Sequence, residues 1–222
     1  GDNNVAIGKS ALTANTSGSS NTAVGKDSML ANTTGSDNVA VGRNALDANL
    51  TGASNTAVGR DSLGANTSAS FNSAFGFNAL KANTTGADNT AVGEGAMEVN
   101  IGGSFNTAMG VSALDANTTG ADNVALGTYS LSTNTTAGKN TAVGRSSLSA
   151  NITGAQNVAV GYTSLEANTT GSNNVAVGYQ ALDANTTVSE GTAVGYRALS
   201  SNTTGANNTA LGTTAMLDNT TG

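Results

Sequence analysis

The amino-acid sequence predicts an all-β chain wound as a parallel β-solenoid of thirteen 17-residue coils, each with room for one short helical turn. Three observations carry this. Asparagine recurs every 17 residues from Asn4 to Asn208, with Gly191 once in its place, and no insertion interrupts the series. Several positions within the unit never change, and all of them hold small, apolar or amide residues. The 222 residues include no proline, as expected where every backbone N–H is needed by a continuous ladder. A period of 17 is too short for a helix pair but fits one coil that pairs with equivalents above and below, about 4.8 Å apart.

The unit reads N-[TV]-A-V-G-x-x-[AS]-L-x-A-N-T-T-G-[AS]-x, with Asn4 at position 1 of coil 1. Positions 2 to 4 form the strand. Position 3 is always alanine (Ala6, Ala40, Ala91 and equivalents), and position 5 is always glycine (Gly8, Gly42, Gly93), so only a minimal side chain fits there. Position 4 is apolar but varies from Ile7 and Val24 to Phe75 and Met109, on the strand face opposite alanine. Position 9 is leucine or methionine throughout (Leu12, Leu46, Met97) and reads as the coil interior. Position 12 is always asparagine (Asn15, Asn49, Asn100). It reads as an amide ladder running from coil to coil, or as a glycosylation acceptor, since twelve of these residues begin Asn-x-Thr/Ser. The ladder is preferred because the asparagine at position 1 recurs almost as strictly without forming such a motif.

The turn at positions 13 to 15 closes the coil. Leu50, Ile101 and Ile152 replace threonine at position 13, which points that position partly inward. The glycine at position 15 reads as a residue of positive φ. Phe71, Phe75, Phe77 and Phe105 cluster in coils 4 to 6 and read as local filling of a thin core. Charges and most aromatics fall at positions 6, 7, 10, 16 and 17, the expected outer surface.

Composition narrows function. Leu, Ile, Val and Phe make up only 38 of 222 residues, so the core must be built from small side chains. No Cys and no His means no thiolate or imidazole for a metal, haem or iron–sulfur site, and no Ser-His-Asp or Cys-His apparatus. Carboxylates never hold a column, so catalytic residues, cofactors and metals are all expected to be none. A net charge of −6 with sparse basic residues argues against nucleic acid. No apolar run is long enough for a membrane span, and no signal peptide opens the chain. Residues 1–222 read as a single repeat array, an uncapped fragment of a longer fibrous protein, because neither end carries an atypical unit.

Two surfaces are candidates for ligands. Tyr162, Tyr179 and Tyr196 succeed one another at position 6 and could stack on a sugar ring. Thr22, Thr56, Thr90 and Thr107 at position 2 offer ranks that could match ice, although valine alternates with them.

The segment Asn4-Val5-Ala6-Ile7-Gly8, followed by Ser10-Ala11-Leu12, resembles the head repeats of trimeric autotransporter adhesins. It resembles more closely the N-T-A-V-G-x-x-A-L-x-x-N-T-T-G arrays of tail-fibre-like proteins of phages and algal viruses. The resemblance covers the whole chain and implies a left-handed parallel β-roll in a homotrimer, displayed outside the cell on a cell or virion surface. The departure is the period, since adhesin heads use shorter coils. The expected function is therefore a structural and adhesive segment, the shaft or head of a fibre, acting by shape and multivalent contact. Its partners would be itself and a host-surface glycan. The alternatives are an ice-binding solenoid and a carbohydrate-binding fibre.

Overall fold

The computed structural model describes residues 1–221 and shows the parallel β-solenoid. Each coil contributes one three-residue strand, β1 (Val5–Ile7), β2 (Thr22–Val24), β3 (Val39–Val41), β4 (Thr56–Val58), β5 (Ser73–Phe75), β6 (Thr90–Val92) and β7 (Thr107–Met109). The series continues with β8 (Val124–Leu126), β9 (Thr141–Val143), β10 (Val158–Val160), β11 (Val175–Val177), β12 (Thr192–Val194) and β13 (Thr209–Leu211). All thirteen lie in chain order in one parallel sheet. Its register pairs each residue with its equivalent 17 later, Ala40 with Ala57 and Val41 with Val58 for example. No helix occurs among the described residues; turns fill the rest of each coil.

Hydrogen bonds between coils continue well beyond the strand. In coil 3 the Val39 N–H donates to Asn55, the Leu46 N–H to Ser62 and the Leu50 N–H to Thr67. The backbone ladder therefore runs round most of the circumference, and a proline at any of these places would delete a rung. Within a coil, position 8 donates to position 5 (Ala45 N to Gly42 O, 3.4 Å) across a turn whose third residue, Asn44, has φ 55°. That is the signature of a type II turn. Serine exchanges with alanine at position 8 because its hydroxyl donates to the same carbonyl, as Ser62 does to Gly59 at 2.9 Å.

Alanine at position 3 faces inward against leucine or methionine at position 9, and both are fully buried from coil 2 to coil 12. In coil 1, Leu12 is buried but Ala6 and Gly8 are exposed, because that coil is covered on one side only. Ala6 nevertheless keeps the register of its column, pairing with the fully buried Ala23.

The glycine at position 5 has φ between 122° and 140° in every coil, a region L-residues avoid. A Cβ on Gly93 would stand 2.5 Å from the carbonyl oxygen of Gly110. The glycine at position 15 departs from expectation. Its φ is not positive; instead a Cβ on Gly35 would lie 2.4 Å from the oxygen of Gly52 and 2.5 Å from Oδ1 of Asn32. Close approach of neighbouring coils selects against a side chain there. The leucine at position 9 takes the left-handed conformation in every coil, φ 53° at Leu46 and 51° at Met97. A branched residue there costs about 1–2 kcal/mol locally, so the interior contacts must hold it.

Candidate functional site

The two asparagine columns form buried ladders, which settles the choice between amide stacking and glycosylation for the folded chain. At position 12, Asn49 Nδ2 donates to Oδ1 of Asn32 at 2.8 Å and to the Gly52 carbonyl at 2.9 Å. At position 1, the Asn55 N–H and Nδ2 both donate to Oδ1 of Asn38, and Nδ2 also reaches the Ala69 carbonyl. Asn49 and Asn100 are wholly buried, and the two end coils leave Asn15 and Asn219 partly open. A glycan could not be attached to a buried amide nitrogen already engaged twice.

The outer surface divides into three strips. The first is the outward face of the sheet. Positions 2 and 4 flank each buried alanine and point away from the interior, so Thr22, Thr56, Thr90 and Thr107 stand half-buried beside a continuous apolar line. Ile7 is 60% and Met109 50% exposed on that line. The threonines meet as register neighbours at Thr90 and Thr107, and again at Thr192 and Thr209, with valine or serine between the other ranks. The turn threonines at position 13 direct their hydroxyls to the next coil, whereas those at position 14, such as Thr34 and Thr119, stand exposed. The Thr33 hydroxyl donates to the Leu50 carbonyl at 2.8 Å and that of Thr118 to Thr135 at 2.9 Å. Leu50, Ile101 and Ile152 share this edge and are nearly half exposed, so position 13 does not point inward. Nor do the phenylalanines fill the core: Phe71 and Phe105 are more than 60% exposed, and Phe75 and Phe77 about 40%. Alanine and leucine already fill the interior, and no room remains for a ring.

Position 6 forms the second strip. Tyr162, Tyr179 and Tyr196 stack on one another with centroids 5.5 and 5.2 Å apart and planes within 10°. The middle ring is covered on both faces, so a sugar could stack only at the two ends of the ladder. At the other end of the array the basic residues are partly compensated. Lys26 pairs with Asp27 at 3.3 Å, Arg60 pairs with Asp61 at 2.8 Å, and the Arg60 guanidinium lies over the Phe77 ring at 5.2 Å.

Position 10 lines the third strip. Gly64 interrupts its side chains and leaves an open cleft of about 510 Å³ among Asp47, Asp61, Lys81 and Glu98. Lys81 stands 3.9 Å from Glu98, which also accepts from Asn78. Burial raises Asp47 above the ordinary carboxylate range, with the neighbouring charges of Asp61 and Asp27 adding to it. Burial also acts on Asp61, but hydrogen bonds from Asn44 and Arg60 and the charges of Arg60 and Lys81 outweigh it and hold that carboxyl low. Desolvation likewise raises Asp115, Glu166 and Asp183, all at position 10. The raised values thus belong to the column and not to the cleft. Among the described residues no three acidic side chains converge as a metal-binding group.

This column sets a pH dependence. A carboxyl whose folded pKa is raised contributes stability that is complete below its unfolded pKa and lost as pH rises through the folded value. Four groups act in that sense and Asp61 in the opposite one. The thermal midpoint is therefore expected to increase as pH falls from 7 to about 4, and a steady fall in that window would contradict the assignment.

No known protein family matches the chain, and neither curated proteins nor solved structures provide a match.

Proposed function

We propose that the array is a structural and adhesive segment, the shaft or head of a fibre displayed on a cell or virion surface, in which three copies associate side by side. The observation that carries this reading is the outward apolar line at position 4, which runs unbroken along all thirteen coils from Ile7 to Leu211 and is half-buried or exposed at every one. At about 25 cal/mol per Å², a strip of this length left in water forgoes tens of kcal/mol before entropy, and exposed apolar patches of such extent mark contact surfaces. The invariant residues are those that close and stack a coil, whereas chemically distinctive ones vary from coil to coil. Such a distribution suits avidity from repeated weak contacts better than a single reactive centre.

The chain's mass in solution tests the assembly. A particle of three chains is expected, and Val92→Lys with Met109→Lys should dissociate it; a wild-type monomer would overturn side-by-side association. The in-register outward threonines keep a second reading in view, an ice-binding face. It requires a monomer with thermal hysteresis that is lost in Thr56→Lys and Thr90→Lys.

A further inference from the structure

The turn at positions 13 to 15 is uniform in most coils but not in all. Where position 15 is glycine, the N–H groups of positions 13 and 14 both donate to the position-13 carbonyl of the next coil. Thr33 and Thr34 do so to Leu50 at 3.0 and 3.1 Å, and Thr118 and Thr119 to Thr135 at 2.8 and 3.3 Å. Three coils carry a side chain at position 15: Ala69 in coil 4, Ala137 in coil 8 and Val188 in coil 11. In coil 4 neither Thr67 nor Ser68 makes this bond, and in coil 11 neither Thr186 nor Thr187 does. In coil 8 only Thr135 retains it, lengthened to 3.3 Å. The cause is steric. A Cβ at the equivalent Gly52 or Gly154 would stand 2.3 or 2.2 Å from the next coil's carbonyl oxygen, so a coil with a real Cβ must part from its neighbour at that corner.

The third of these corners is opened further by two coincident defects. Gly191 removes the position-1 amide, so Asn174 Oδ1 receives only the Gly191 backbone N–H. At this coil boundary the position-1 ladder is thus reduced to a backbone N–H link and the position-12 ladder is broken, since Oδ1 of buried Asn185 is left without a partner and Asn202 Nδ2 donates only to Gly205. Asn208 Nδ2 turns instead to Oδ1 of Asn202 at 3.4 Å.

We infer that the array is a jointed rod, with joints on one corner after coils 4, 8 and 11, that opens there in blocks while the coils between joints hold together. In a stack where each unit touches only its neighbours, the weakest interfaces decide where partial opening begins. The joint after coil 11 opens first, because it lacks the corner bonds and the position-12 amide link together, whereas Asn83 and Asn151 keep that link after coils 4 and 8. The inference concerns a single chain and stands whether or not copies associate.

Hydrogen exchange with mass spectrometry on the full chain tests it. Amides of Thr67, Ser68, Thr136, Thr186 and Thr187 are expected to exchange about tenfold faster or more than the equivalent amides of Thr33, Thr34, Thr118 and Thr119. Val188→Gly and Ala69→Gly, which restore the prevailing residue, should slow exchange at their own corners by a similar factor. Gly35→Ala should accelerate Thr33 and Thr34. Equal rates at all corners, or no response to Val188→Gly, would overturn the joints.

Discussion

Gly93→Val is expected to unfold the centre of the array at a cost of about 4 kcal/mol or more. Valine at φ 132° carries about 1–3 kcal/mol of backbone strain. Its Cβ would also stand 2.5 Å from a backbone oxygen of coil 7, which cannot move aside as a flexible side chain could. Overpacking of this kind adds about 1–3 kcal/mol. Ala91→Leu, two residues earlier and fully buried, should show the second penalty without the first. Glu94→Lys, exposed at the next position, should stay within about 0.5 kcal/mol of the parent. Chemical denaturation of the three variants checks the order; equal midpoints would refute the assignment of positions 3 and 5.

Asn106→Leu is expected to cost about 3 kcal/mol. It removes Oδ1, which accepts from the Asn123 N–H at 3.0 Å and from Nδ2 of Asn123 at 3.1 Å. It also removes Nδ2, which links Asn89 to the Gly120 carbonyl. Each buried group left without its partner is worth about 1–3 kcal/mol, and leucine offers no replacement. Asn173→Lys, at the variable position 17 where Lys139 holds the same left-handed φ, serves as the control and should be near neutral. Calorimetric midpoints that do not separate the two would show the ladder to be incidental.

Which parts of this fold could be read without coordinates follows from what each position must satisfy. Ala91, Gly93, Met97 and Asn100 were legible because stacking identical coils places each against its own copy, so a requirement appears thirteen times over. Direction at the turn was not legible. Thr33 and Leu50 occupy one exposed edge, and a hydroxyl that donates to the next coil makes threonine acceptable where exposed leucine is merely tolerated. The interchange looked like an inward position. The glycine at position 15 was recognised, but its cause was not, since positive φ and close approach select the same residue. The left-handed residues at positions 7 and 17 left a signal in Asn44, Asp61, Asp88 and Asp122. Those at position 9 left none, because leucine is the last residue such a conformation would suggest. The outward strips showed their members in sequence, Tyr162, Tyr179 and Tyr196 above all, but not that the rings would spend their faces on each other.

The left-handed leucine has a consequence for how the chain acquires its shape. A solitary coil would bear the local cost of Leu46 with no layer beneath to receive the side chain and no carbonyls to meet its outward N–H groups, so it should not persist alone. Once two or three coils have formed, each addition finds a finished template. The search then covers only 17 of 222 residues at a time, about 8% of the chain, a separation typical of fast-folding helical proteins and not of β-proteins. Folding becomes elongation from a growing tip, like crystallisation on a seed, and not collapse about a centre. Length then costs the chain time in proportion and leaves the difficulty of its first step unchanged.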